Sequence, residues 1–262
     1  MAERRKKEGE CCGPLLEKLA LHWEKCIRSK AAGKNGKCKR CRLQSPVCIC
    51  PFASERFSTR AGLSKKQQLW LLTHPAEVSK STNTGVVVQL AMQRSNCRIV
   101  QWKGDSALRA EFTPEMTPIL IYPLKYATKR GCKRFATLRS GLDDALSSGK
   151  MPVFIIIDST WEQSKEIYAS SATLQALGVA ELPLSDMGEK SQFRLRRGQK
   201  AREFCTAETA ACLLRTIGEV EIANDILGLF KVYQDIVFAF KESASLPVSR
   251  EMQMLLSSEK NG

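Results

Sequence analysis

This chain of 262 residues has no apolar run long enough to cross a bilayer. Its longest strongly apolar stretch, Val153 to Ile157, falls far short of the roughly 20 residues a spanning helix needs. No secretory leader is expected: Arg4, Arg5, Lys6 and Lys7 are followed by Glu8, Glu10, two cysteines and Gly13 rather than by an apolar core. The protein is therefore expected inside the cell, in the cytoplasm or nucleus, since four basic residues are too weak an import signal to choose between them. No internal repeat is visible. Acidic residues are scarce beside basic ones, 27 against 41, and the resulting net charge of +14 favours a polyanionic partner, nucleic acid first. With 43% apolar and 26% charged residues, disordered, collagen-like and fibrous chains are excluded.

The length suits one large domain or two small ones, at roughly 100 to 200 residues each. Cysteine is plentiful: there are eleven, an odd number, and four lie between Cys38 and Cys50. In a reducing compartment such a cluster points to metal binding rather than disulfides. A basic tail and a helix-like stretch, Pro14 to Ser29, occupy residues 1–37. Residues 38–51 form a cysteine-dense segment too short to hold a core of its own. Residues 66–245 read as alternating strands and helices, and 246–262 as a loose polar tail.

Strands are expected over Gln68 to Thr73, Pro118 to Tyr122, Val153 to Ile157 and Val179 to Pro183. Val86 to Met92 reads as a helix or a buried segment, and Glu162 to Ala169 and Thr206 to Ile217 as helices. A long closing helix would bury Ile222, Ile226, Leu229, Phe230, Tyr233, Val237 and Phe240. The unalternating Val153 to Ile157 run indicates a strand covered on both faces, hence a mostly parallel sheet in an α/β fold.

Six groups of residues could carry chemistry. Cys38, Cys41, Cys48 and Cys50 have the C-x2-C-x6-C-x-C spacing from which four thiolates complete the shell of a structural zinc; unrelated thiols or a redox pair are the bland alternatives. His74 to Glu77 and then Asn83, Thr84 and Gly85 follow a strand tip, where α/β proteins bind ligands, although the same residues could simply stop a strand and cap a helix. Asp158, Ser159, Thr160 and Trp161 follow the buried strand. There a carboxylate could orient an amino group or accept a proton, and the indole could face a base or a sulfonium; local rules favour the alternative of an N-cap and a core tryptophan. Ser191, Phe193, Arg194, Arg196, Arg197, Lys200 and Arg202 make a basic run broken by an aromatic, suited to phosphates and stacked bases or only to a solvated face. A second basic run spans Lys125 to Arg139. Thr206 and Glu208 open a helix, as cap and dipole partner.

In order, the four cysteines, His74-Pro75-Ala76-Glu77, Asn83-Thr84-Gly85, Asp158-Ser159-Thr160-Trp161, Ser191 to Arg196 and Thr206-Ala207-Glu208 resemble the DTW-domain family over about residues 38–218. The resemblance implies a SPOUT-like fold with a C-terminal trefoil knot. It also implies transfer of the 3-amino-3-carboxypropyl group of S-adenosylmethionine to N3 of a tRNA uridine. Two departures stand out: Ser164 where the family usually has Ala, and Cys205 where Ser commonly precedes the Thr.

On that resemblance Asp158 is the first candidate for the base at uridine N3, with Glu208 in reserve and Trp161 beside the reacting groups. Asn83, Thr84, Gly85, Thr160, Trp161 and Thr206 would hold S-adenosylmethionine, and Arg194, Arg196, Arg197 and Lys200 the tRNA phosphates. Because N3 lies on the pairing edge, the target must be an unpaired or extruded uridine. Two rivals are a SPOUT-type RNA methyltransferase using the same donor and a non-catalytic zinc-containing RNA-binding protein. Nothing in the sequence fixes the oligomeric state; a monomer is the working expectation.

Overall fold

The computed structural model describes residues 36–44, 48–50, 53, 63, 67–92, 96–127, 134–184, 191–195 and 204–242. The expected helix Pro14 to Ser29, the cations Arg196, Arg197 and Lys200, and the tail 246–262 lie outside them. Five strands form one parallel sheet: β1 (Gln68–Thr73), β2 (Cys97–Gln101), β3 (Met116–Ile121), β4 (Met151–Asp158) and β5 (Gly178–Ala180). Their spatial order is β2-β1-β4-β3-β5.

Seven helices surround the sheet among the described residues: α1 (Gly85–Met92), α2 (Asp105–Ala110), α3 (Leu138–Ser147), α4 (Trp161–Ser170), α5 (Ala172–Ala176), α6 (Thr206–Thr216) and α7 (Val220–Glu242). Leu69 and Leu71 of β1 and Phe154 and Ile156 of β4 face one buried cluster with α1, α3, α6 and α7. Trp70, Leu72, Val153 and Ile155 face the other, with Leu108 of α2, Ile167 of α4 and Leu174 of α5. This double cover explains why the central strands read as continuous apolar runs.

The apolar run around Val153 extends to an eight-residue strand, Met151–Asp158. The expected Val179 to Pro183 strand is shorter, Gly178–Ala180; it is an edge strand, and Pro183 has no N–H to give a ladder. Val86 to Met92 is helical and buried, and the helix starts at Gly85. The expected stripe on α7 is buried from Ile222 to Val237. Phe240 has no described side-chain environment.

Four elements have no counterpart in the sequence reading: β2, α2, α3 and the short α5. Strand β2 is an edge whose buried positions do not alternate cleanly. Helix α3 shows little beyond Leu138, Leu142 and Ala145 on one face, and it starts with a reciprocal cap between Thr137 and Ser140.

The crossover from β1 leads to β2 on one side, while the chain leaving β4 reaches β5 on the other. The carboxyl ends of the neighbouring strands β1 and β4 thus form a topological switch point, where open parallel sheets bind ligands. Thr73 and Asp158, the last residues of the two strands, are register partners there.

Candidate active site and four-cysteine centre

Asp158 is 2% exposed and accepts three side-chain hydrogen bonds. Thr73 Oγ1 and Asn83 Nδ2 donate to Oδ2 at 2.8 and 2.7 Å, and Thr206 Oγ1 donates to Oδ1 at 2.7 Å. The carboxylate therefore joins the tip of β4 to β1, to the loop before α1 and to the start of α6. It does not cap α4: Thr160 does, with Gln163 N–H donating to Thr160 Oγ1 and Thr160 N–H donating to Gln163 Oε1. With two lone pairs on each carboxylate oxygen, Oδ2 is fully engaged and Oδ1 keeps one acceptor direction.

Gly85 exists for this junction. A Cβ at that position would lie 2.9 Å from Asp158 Oδ2 and 3.1 Å from Asn83 Oδ1, so only glycine lets α1 begin against the carboxylate. Asn83 Oδ1 accepts the Gly85 N–H at 3.0 Å, and Thr84 Oγ1 accepts the Ala207 N–H at 3.2 Å. Thr84 thereby satisfies one of the free amides at the head of α6. His74 is a cap as well: its Nδ1 accepts the Ala76 N–H, and its own N–H donates to Asp158 O.

A cleft of about 270 Å³ opens over this junction, walled by Asn83, Thr84, Asp158, Ser159, Thr160 and Thr206 on its polar side. Phe193 and Leu195 supply apolar wall, and the Glu77–Lys80 ion pair also lines it. Gly85, Trp161 and Glu208 are not on this wall. Trp161 instead packs on Tyr122 and meets Tyr126 edge-on, in a cluster that continues to Tyr168.

Glu208 is 3% exposed, and its partners differ. Its Oε1 accepts the Gln192 N–H at 2.6 Å, while Oε2 accepts Ser191 Oγ at 2.6 Å and the Cys205 N–H at 2.8 Å. It fastens segment 191–195 to the first turn of α6, which brings Phe193 and Leu195 to the cleft. Arg194 turns away onto α7, where its guanidinium pairs with Asp235 and lies over Phe238. In the second basic run, Lys125 lies over Tyr126 and Arg134 donates to Ala127 O.

The four cysteines expected to meet do meet. Their sulfurs all lie within 4.8 Å of one another, with Cys38 to Cys50 at 3.8 Å and Cys41 to Cys48 at 3.7 Å. A tetrahedral shell with zinc–sulfur bonds of about 2.3 Å has sulfur–sulfur edges of about 3.8 Å. The donor set therefore fits a closed, structural metal site. Hydrogen bonds from Cys48 and Cys50 draw the Cys41 thiol far below its ordinary range. Bonding to that thiolate drives the Cys48 and Cys50 thiols upward, aided by burial. Four thiolates at this spacing need a cation to coexist. Cys41, Leu43, Ile49 and Ala53 belong to the same buried cluster as α1, α6 and α7, so this segment shares the domain core.

Residues 35–238 match the DTW domain. The chain belongs to the DTW-domain family. It is 27% identical over 191 residues to tRNA-uridine aminocarboxypropyltransferase 2 of Drosophila melanogaster, covering 71% of this chain and 69% of the relative. It is 24% identical over 238 residues to the protein of the same name from Macaca fascicularis, covering 87% and 71%, and 24% identical over 225 residues to that of Mus musculus, covering 84% and 69%. No solved structure matches.

Both departures of this DTW-domain protein are accommodated. Ser164 is buried within helix α4. Cys205 is buried at the head of α6, and the position is held through its backbone N–H by Glu208. Asp158, Asn83 and Thr206 are legible from sequence as separate motif members. The sequence did not reveal that Thr73 completes their junction; the signal for that is its place at the end of a strand in register with β4. Arg42 reads in the sequence only as a cation offsetting the charge of the four thiolates. Burial lowers its guanidinium from the ordinary arginine range, most strongly opposed by the charge of Asp158. No sequence rule relates a residue beside a cysteine to a carboxylate at the end of a distant strand.

Proposed function

We propose that this DTW-domain protein is a tRNA-uridine aminocarboxypropyltransferase that uses S-adenosylmethionine as donor and uridine N3 as acceptor. The observation that carries this reading is the convergence of three separate motif segments, Asn83–Thr84, Asp158–Thr160 and Thr206, on one cleft at the switch point, where Asp158 is held by Thr73, Asn83 and Thr206. The names of its relatives support the reaction class, and the net charge of +14 supports a polyanionic acceptor.

In this reaction the uridine N3 electron pair attacks the γ-carbon of the aminocarboxypropyl arm. The carbon–sulfur bond breaks with its electrons to sulfur, so the sulfonium leaves as a neutral thioether and the N3 proton passes to a base. Which of the three carbons on sulfur reacts is decided by which one faces N3 in line. Asp158 is our candidate base, through the free acceptor direction of Oδ1. Asn83, Thr84, Thr160 and Thr206 offer hydrogen bonds to the donor, and Phe193 and Leu195 offer apolar surface. Gly85 contributes by its lack of a side chain, and Trp161 by buttressing the start of α4 from outside the cleft. Glu208 is a positioning residue for segment 191–195. Arg194, with Arg196, Arg197 and Lys200 beyond it, is read as the tRNA phosphate surface, with Arg194 exchanging Asp235 for phosphate.

Cys38, Cys41, Cys48 and Cys50 would hold zinc, which supplies a structural cross-link and no reactive step. We read 38–51 as that metal segment, 66–245 as the catalytic domain and 246–262 as a tail. The parallel order with its cleft at the strand ends supports a SPOUT-like domain, and a C-terminal trefoil knot belongs to that reading. No helix among the described residues is long and apolar enough to cross a membrane.

The decisive experiment incubates purified protein and tRNA transcript with S-adenosylmethionine labelled in its amino-acid chain, followed by mass spectrometry of the digested nucleosides. The expected product is uridine enlarged by the labelled aminocarboxypropyl group. Added methyl, or no label on RNA, overturns the assignment.

A further inference from the structure

Two cations flank the first pair of cysteines, and both reach the loop that walls the cleft. Lys37, directly before Cys38, donates from Nζ to Ser79 O at 3.3 Å. Arg42, directly after Cys41, donates from Nη1 to Glu77 O at 3.3 Å. The Tyr233 hydroxyl of α7 donates to Ser81 O. Three alternate carbonyls of the loop between β1 and α1 are thus held by side chains from outside it. The same loop supplies Glu77, Lys80, Thr82, Asn83 and Thr84 to the cleft, and Asn83 is one of the three donors to Asp158.

Arg42 is aimed by an unusual backbone. Its φ is 63°, and it is the one non-glycine residue at positive φ among the described residues. That conformation is strained for an L-residue and persists where surrounding structure enforces it. Here the enforcement is the cysteine turn: Arg42 N–H donates to Cys38 O at 2.9 Å and Cys38 N–H donates to Leu43 O at 2.7 Å. Cys38 and Cys41 both lie within it. A glycine would take this φ without cost, yet the position carries a long cation that reaches the loop.

We propose that the four-cysteine turn is a positioning device for the substrate cleft: ligation at Cys38 and Cys41 fixes the turn, the turn aims Arg42 and Lys37, and these clamp the loop that places Asn83 against Asp158. Arg42 is thereby a positioning residue. The clamp is a property of the chain and stands apart from the reaction; only the identity of the molecule in the cleft rests on the proposed function.

The informative variant is Arg42→Gly, which relieves the backbone while removing the side chain, so the metal site and fold are kept. Hydrogen-exchange mass spectrometry on full-length, zinc-loaded protein is the primary readout. Amides of residues 74–84 are expected to exchange on the order of tenfold faster in Arg42→Gly, with exchange in β4 and α6 and the zinc content unchanged. Arg42→Lys, which keeps a donor, is expected to restore part of the protection. S-adenosylmethionine titrated without RNA should bind Arg42→Gly with a Kd raised about tenfold, as expected when a binding-competent loop is only fractionally populated. Unchanged exchange in 74–84 in the zinc-loaded variant, or acceleration spread evenly over the whole domain, overturns the clamp. If the parental protein binds no S-adenosylmethionine while the loop still loosens in Arg42→Gly, the donor assignment fails and the clamp stands.

Discussion

Asp158 and Glu208 invite comparison because they are so nearly alike. Both are acidic, both are almost fully buried, and each accepts three hydrogen bonds. They differ in their donors. Asp158 draws on three side chains from three separate elements, all in or beside the cleft. Glu208 draws on two backbone amides and one hydroxyl, binding the head of its own helix to segment 191–195. A carboxylate held by backbone amides acts as a fastening, because those amides would otherwise be unsatisfied. One held by side chains at a strand tip keeps an acceptor direction for a ligand. Equal burial and equal bond counts therefore do not mean equal roles; the origin of the donors and the presence of the cleft separate them.

The substitution with the largest expected effect is Asp158→Asn. It keeps the size of the side chain and removes the base, so kcat for aminocarboxypropyl transfer should fall by at least about 100-fold, the low end of what a positioned base contributes. Thr73, Asn83 and Thr206 would face an amide that satisfies only some of them, at a cost to stability of about 1–3 kcal/mol. Transfer followed by nucleoside mass spectrometry, with a melting curve beside it, checks both. A variant that still transfers at the parental rate removes Asp158 from the chemistry.

Much of this arrangement could be read from the chain. The buried β4 run, β1 to the residue, the four-cysteine cluster and the stripe on α7 all follow from periodicity or spacing, because burial on both faces and ligation at one ion leave dense local signatures. The parts that escaped are relationships between segments. Whether Asp158 caps α4 or anchors a cleft depends on Thr73 and Asn83, which lie 85 and 75 positions away; local rules favoured the cap, and Thr160 took that place instead. Glu208 has the spacing of an ordinary first-turn acid, so its hold on Ser191 and Gln192 was invisible. The family resemblance linked these segments in order but said nothing of who bonds to whom.

Gly85→Ala sharpens the comparison from the side of Asp158. An added methyl would stand 2.9 Å from Oδ2, against a carboxylate oxygen already held by Thr73 and Asn83, so the acid must move. Gly141→Ala is the matched control: it lies in helix α3, and its Cβ would meet the Phe135 ring at 3.0 Å, away from the cleft. Both gain up to about 1 kcal/mol of helix propensity and both face overpacking of about 1–3 kcal/mol. Transfer should drop about tenfold in Gly85→Ala, as one unit of 1.36 kcal/mol in the barrier implies, and stay parental in Gly141→Ala. Equal activity in the two variants would mean that crowding at Asp158 does not reach the reacting groups.

Glu208→Gln should have the smallest effect on the chemical step. Glutamine keeps one oxygen as acceptor but turns an NH2 group toward donors that need an acceptor, so stability should fall by about 1–3 kcal/mol, seen as a drop in Tm of several degrees for a chain of this size. Loosening segment 191–195 would withdraw Phe193 and Leu195 from the cleft wall, which raises KM for the donor. The kcat measured at saturating donor should remain close to parental, because Asp158 and its three donors are untouched. The two carboxylates are then told apart by a split in kinetic constants, kcat for one and KM for the other, which a general loss of folded protein would not produce. If kcat in Glu208→Gln falls as far as in Asp158→Asn while the melting temperature holds, Glu208 takes part in proton transfer and the distinction drawn from their donors is wrong.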